Sequence, residues 1–221
     1  MSYILLGITL IITLSAQGYI NHMYQKTRKI VSSQKITGSE VARKILDENG
    51  LQNVKVEKVN GVLSDHYDPS SKTVRLSTDI YEKDSLAAVS VASHECGHAI
   101  QDKDGYFFLR FRNRIIPLVN FASKAGYIII MISIFASLFE LLWIGILLEM
   151  IILLFQVITL PVEFDASKRA LKQVLELKIV EKEEHRFCKK MLRAAALTYV
   201  AGVASAILEI LRLILIARRN D

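Results

Sequence analysis

Proline, cysteine and tryptophan are scarce: three, two and one in a chain of 221 residues. Few prolines leave long stretches free to run as helix, since proline removes a backbone donor and clashes with the preceding turn. Cys96 and Cys188 stand far apart. Two separated thiols make no disulfide framework, and each reads as a small buried hydrophobe. No run of Lys and Arg is interleaved with aromatics, which argues against a nucleic-acid surface. The first apolar run has no basic region before it and no convincing small-residue cleavage site after it. It therefore reads as a retained anchor rather than a signal peptide.

What is present is a mixture. The chain is 52% hydrophobic, yet 23% of it is charged and its formal net charge is +6. That is too apolar for an ordinary soluble domain and too charged for a protein wholly in the membrane. Four apolar runs stand out. Residues 1–20 form an anchor, and its stretch Tyr3–Ile20 has no charge in 18 residues. Leu118–Leu138 and Leu141–Leu160 form a hairpin of two spans (118–160), and residues 194–221 form a last helix. Gly202 and Ala206 give that helix a small-residue face suited to packing.

Lys26, Arg28 and Lys29 follow the anchor. The positive-inside rule then puts the N-terminus outside, with a 21–117 domain and a 161–193 helical segment in the cytoplasm. Arg218 and Arg219 go against that rule, and Glu209 with Arg212 makes an i, i+3 pair within the last span. Glu149 falls inside the third span. Either it faces the bundle or the span is shifted.

The 21–117 region has the texture of a folded domain. Thr37 and Glu40 make a capping box, followed by Val41, Ile45 and Leu46 at helical spacing and a stop at Gly50. "VKVEKV" (54–59) alternates as a strand does. "GVLSDHY" and "TVRLS" flank the turn "DPSSK" and read as a hairpin. From Leu86 apolar residues recur every three to four positions, predicting a helix of about five turns that ends near Gly105.

That helix carries "HECGH" (94–98), an H-E-x-x-H pattern. Spaced four apart, His94 and His98 leave one face and can reach one Zn²⁺. Glu95 stands beside them, placed to take a proton from the attacking water as general base. Among small and apolar residues, uncompensated His and Glu would be costly to bury. A catalytic site needs a third protein ligand. No third His follows at the needed spacing, so a carboxylate is sought. Glu163 in "LPVEFDASKRAL" (160–171) offers one, with Pro161 expected to end or bend the membrane helix and a new polar helix to begin. The other reading of Glu163 is a solvated carboxylate in a helix's first turn.

"DHYDP" (65–69), "HECGHAIQ" (94–101), "LPVEFDAS" (160–167) and "AAALTYVA" (194–201), in that order, resemble the bacterial YugP-type neutral zinc metallopeptidases over almost the whole chain. More distantly, the chain is similar to HtpX and the CAAX prenyl endoproteases. The resemblance implies a gluzincin-like site with His94, His98 and Glu163 as zinc ligands and Glu95 as general base. It also implies an α+β membrane protein with about four transmembrane helices. A small cytoplasmic zincin-like domain would hold the active-site helix beside a short β-sheet. One departure stands out. Those relatives usually carry an Asp four residues after the ligand Glu, where this chain has Ser167. Asp165, two residues on, is expected to point elsewhere, so the support of the ligands must be built differently.

Two further residues are candidates for the catalytic set. His66 lines the groove and polarises the carbonyl, or is a surface histidine at a hairpin end. Tyr199 donates to an oxyanion, or sits in an interfacial aromatic belt. The expected function is a multi-pass membrane zinc endopeptidase, with its site facing the cytoplasm and peptide or membrane-protein substrates. A homo-oligomer or an accessory membrane partner is compatible with it. Two His and one Glu would also hold Co²⁺ or Mn²⁺. Two other classes compete: a zinc-stabilised membrane scaffold without catalysis, and a small transporter or channel subunit suggested by Glu149 and Glu209.

Overall fold

A computed structural model gives the fold and describes residues 2–61 and 64–219. Val62 and Leu63 of the expected "GVLSDHY" strand lie outside the described residues. The elements in chain order are α1 (Ser2–Thr27), α2 (Gly38–Glu48), β1 (Lys55–Val59), β2 (His66–Asp68), β3 (Thr73–Ser77), α3 (Thr78–Glu82), α4 (Leu86–Lys103), α5 (Phe107–Phe135), a 3₁₀ turn (Phe139–Leu141), α6 (Leu142–Glu176) and α7 (Lys182–Arg219). The chain divides into two units. One comprises Tyr19–Leu109 and Val162–Ala196; the other comprises Met1–Gly18, Arg110–Pro161 and Leu197–Asp221.

In the first unit, α2 forms where the capping box predicts it. The Thr37 hydroxyl accepts from the Glu40 N–H, and the Thr37 N–H donates to the Glu40 carboxylate at 2.7 Å. Such a cap is worth about 1 kcal/mol. Val41, Ala42, Ile45 and Leu46 then point to one side and are fully buried. Gly50 ends the run with φ +68°, a conformation glycine adopts without strain.

The sheet order is β1-β3-β2. β2 and β3 are the antiparallel hairpin expected from sequence, with His66 opposite Arg75 and Asp68 opposite Thr73. β1 runs parallel to β3, a pairing that alternation alone does not reveal. The fourteen-residue step from Val59 to Thr73 gives the length a parallel crossover needs, on the order of a dozen residues. β3 is central, and Val74 and Leu76 lie in the core with the α2 and α4 side chains. α3 is a separate short helix. α4 starts at Leu86, where the Ser85 hydroxyl accepts from the Ala88 N–H, and it has the expected five turns.

α6 corrects one expectation: it runs unbroken through Pro161 for 35 residues, about 52 Å. An interior proline costs about 3 kcal/mol. Past it, Val162, Ala166, Ala170 and Val174 recur every four residues and are buried. Burying a valine-sized side chain is worth about 1.5 kcal/mol or more. The helix that carries them inward therefore outweighs the proline. α5 likewise begins well before residue 118. It takes in Arg110, Arg112, Arg114 and Pro117.

The second unit is made of helical segments only. α1, α5, α6 and α7 are each long and apolar enough to cross a membrane. Within this unit α5 and α6 approach closely at Gly145, where a Cβ would stand 2.6 Å from Ile130 Cγ1.

Candidate metal centre

The site lies wholly in the first unit, on α4 and the C-terminal half of α6. Gly97 lets these helices meet. A Cβ there would stand 2.5 Å from the Ala166 carbonyl oxygen, so only glycine permits this approach. A glycine inside a helix costs about 1 kcal/mol relative to alanine. Its place between the two histidines was a signal for a close crossing that the sequence reading did not use.

The crossing brings His94, His98 and Glu163 together, with one ligand atom from each within 4.8 Å of the others. Glu163 Oε2 is 3.2 Å from His94 Nε2 and 3.7 Å from His98 Nε2. Donors held about 2.1 Å from a tetrahedral ion stand roughly 3.4 Å apart. The set therefore has the donor chemistry and the spacing of a zinc site. Among the described residues no fourth His, Cys, Asp or Glu joins the group.

The other ring nitrogens are also engaged. Gln101 Nε2 donates to the Val162 carbonyl at 2.8 Å and to Asp165 Oδ2 at 2.9 Å. Its Oε1 is thereby turned to His98 Nδ1, 3.0 Å away. An amide oxygen only accepts, so His98 carries its proton on Nδ1 and presents the Nε2 lone pair toward Glu163. His94 Nδ1 lies 3.3 Å from the Ser167 hydroxyl, which orients that ring in turn. Ser167 thus contacts the ring of His94 directly. Asp165 faces neither ring, as expected. It instead anchors Gln101 and receives Arg169 Nε at 2.6 Å. Gln101 was missed from sequence, although it stands three residues after His98 on the same helix face.

Glu95 is 8% exposed, and burial pushes its carboxyl up to about 7. His94 pulls it down, while Glu163 and Asp65 push it up. His66 opens β2, is exposed, and its Nδ1 lies 2.8 Å from the Ser64 carbonyl, so Nδ1 carries the proton. The field of His66 also acts on Glu95, lowering its pKa. The preceding Asp65 accepts from both the N–H and the hydroxyl of Ser77, which fixes the start of β2. Tyr67 and Lys72 both donate to Asp102, which ties the hairpin to the end of α4. Tyr199 belongs to the helical unit, is 40% exposed, and lines a cavity there with Phe155, Gln156 and Thr159. Cys96 and Cys188 are buried free thiols, and burial raises the pKa of both.

Residues 2–218 match a family described as "putative neutral zinc metallopeptidase". The chain is 43% identical over 201 residues to the "putative membrane protease YugP" of Bacillus subtilis (strain 168), covering 91% of this chain and 89% of that protein. No solved structure matches it. A family match over nearly the full length, on a chain that brings His94, His98 and Glu163 to metal-binding separations, places this protein in the neutral zinc metallopeptidase family.

Proposed function

We propose that the chain is a membrane-bound zinc endopeptidase in which Glu95 is the general base. The observation that carries this reading is the convergence of His94, Glu163 and His98 at metal-ligand separations. These three residues would hold the ion. When bound, zinc supplies Lewis acidity, lowering the pKa of the attacking water. Glu95 takes a proton from that water as its oxygen attacks the scissile carbonyl carbon, and then delivers it to the leaving nitrogen. With Nδ1–H held by the Ser64 carbonyl, the imidazolium form of His66 donates its Nε2–H to the developing oxyanion. β2 is a sheet edge and can align an extended substrate by backbone hydrogen bonds. The N-terminus lies outside and the site faces the cytoplasm, so substrates are membrane-protein segments or peptides emerging near the bilayer.

The test is metal analysis of the purified full chain alongside a casein-cleavage assay. His94→Ala, His98→Ala and Glu163→Ala each lose zinc and cleavage. Glu95→Gln keeps zinc and loses about 10²- to 10⁴-fold in rate, the range of general-base catalysis. Cleavage unchanged in Glu95→Gln removes it from the mechanism, and zinc retained in Glu163→Ala removes Glu163 from the site.

A further inference from the structure

Arg169 lies outside the ligand set, and its bonds lead back to it. It stands on α6 four residues after Asp165, one turn further along the same face, and its Nε donates to Asp165 Oδ2 at 2.6 Å. Its Nη1 donates to Asp104 Oδ2 at 2.5 Å. Asp104 is the C-cap of α4, at an end closed by the Tyr106 N–H donating to the Gln101 carbonyl at 2.9 Å. One guanidinium therefore joins the two helices that bring the metal ligands together. The Arg169 and Asp165 side chains are only 25% and 26% exposed, so this pair is less screened than an ordinary surface ion pair.

The line of bonds from Arg169 has a direction. Asp165 Oδ2 receives Arg169 Nε and Gln101 Nε2 together. A carboxylate oxygen accepts, so the Gln101 amide must turn its NH₂ toward it and leave its oxygen for His98 Nδ1. Turning the amide over would set its oxygen against the Asp165 carboxylate and the Val162 carbonyl at once. Arg169 holds that carboxylate where it can exert this choice. Without the guanidinium, a quarter-exposed carboxylate can swing toward water, and Gln101 keeps only the Val162 carbonyl to orient it.

We propose that Arg169 is a positioning residue of the metal centre, acting on the ring of His98 through Asp165 and Gln101. The proposal rests on the metal site of the peptidase reading and is independent of its proteolytic step. It separates two duties of one side chain: the bond to Asp104 ties helix to helix, and the bond to Asp165 orients a ligand.

The test uses the purified full chain. It reads zinc affinity by chelator competition, and solvent exchange of the His98 Nδ1–H in zinc-loaded protein carrying isotope-labelled histidine. Arg169→Gln loses about fivefold in zinc affinity, less than a residue touching the ligand itself, and its His98 Nδ1–H exchanges about tenfold faster. Arg169→Lys keeps a cation for Asp165 and recovers most of both. Asp165→Ala removes the next link and loses at least as much as Arg169→Gln. Asp104→Ala cuts only the tie to the end of α4 and keeps wild-type zinc affinity and exchange. Wild-type values of both readouts in Arg169→Gln or in Asp165→Ala overturn the proposal. So does Asp104→Ala matching Arg169→Gln in both, because the tie between helices would then account for the whole effect. Failure of the peptidase reading shows separately, as wild-type protein that binds zinc but leaves casein intact.

Discussion

The two units invert each other. In the site-bearing unit Ile45, Leu46, Leu76 and Leu86 are fully buried, and the polar side chains that go inside are held by partners. Gln101 is the clearest case: it is fully buried, and both ends of its amide are engaged. In the helical unit Tyr3, Phe121 and Phe135 are 88%, 63% and 79% exposed, while Thr13, Ser205 and Gln156 line a half-open cavity between helices. The same physics gives both patterns once the solvent differs. Water drives apolar groups inward, and lipid lets them stay outside. In a bilayer, polar groups inside a bundle are there to bind something or to hold water.

The inversion predicts where substitutions are felt. The largest effect is expected at Gln101. Gln101→Leu frees His98 Nδ1, takes the side-chain donor from the Val162 carbonyl and leaves Asp165 with Arg169 alone. Residues that orient a ligand are worth about 10- to 100-fold in metal affinity. Zinc competition with a chromophoric chelator should show that loss, while Gln17→Leu in the helical unit should leave zinc affinity unchanged. Equal zinc affinity in Gln101→Leu would mean that the ring of His98 is held by something else.

Glycines sharpen the contrast. Gly97→Ala puts a methyl group against the Ala166 carbonyl, a backbone atom that cannot turn aside. Overpacking of this kind costs about 1–3 kcal/mol, and it pushes α4 away from the helix that carries Glu163. The thermal midpoint and the zinc content should fall together. A Cβ at Gly7, on α1, would meet nothing within 4 Å, so Gly7→Ala should change neither. A stable, zinc-replete Gly97→Ala protein would show that the crossing can relax, and the contrast between the units would then weaken.

These residues also show how far the sequence could be read. The shared face of His94 and His98 was legible because it follows from local periodicity. Helix spacing alone puts two imidazoles on one face. The capping box at Thr37, the β2–β3 hairpin and the apolar runs are local in the same sense. Glu163 was legible only through its place after two apolar spans and through the resemblance, since a carboxylate in a helix has many ordinary reasons to be there. Gln101, Ser167 and the anchoring role of Asp165 were not legible. Each depends on the angle and distance at which α4 crosses α6, which the identity of Gly97 controls but does not reveal. The parallel pairing of β1 with β3 and the passage of α6 through Pro161 belong with them. Both are settled by burial across the unit rather than by the residues nearby.

The smallest expected effect lies at the hairpin turn. The Ser71 hydroxyl, the Arg75 guanidinium and the Ser70 N–H hold the Asp68 carboxyl well below the usual carboxylate range. A depressed folded-state pKa means that the charged form stabilises the fold. That contribution is present above the unfolded-state value, near 3.9, and is lost as pH falls through the folded-state value. The group is half-exposed, so solvent screens much of the effect. Hydrogen exchange at the Ser70 and Ser71 amides should lose protection as wild-type protein is taken below about pH 4. Asp68→Asn should start with less protection at pH 7 and show no such acid step. Zinc content at pH 7 should be the same in both proteins, because Tyr67 and Lys72 hold the hairpin to Asp102 independently of the turn. A fall in zinc content in Asp68→Asn would mean that the turn and the metal centre act as one cooperative element, and that the site-bearing unit is more tightly coupled than its separate hydrogen bonds imply.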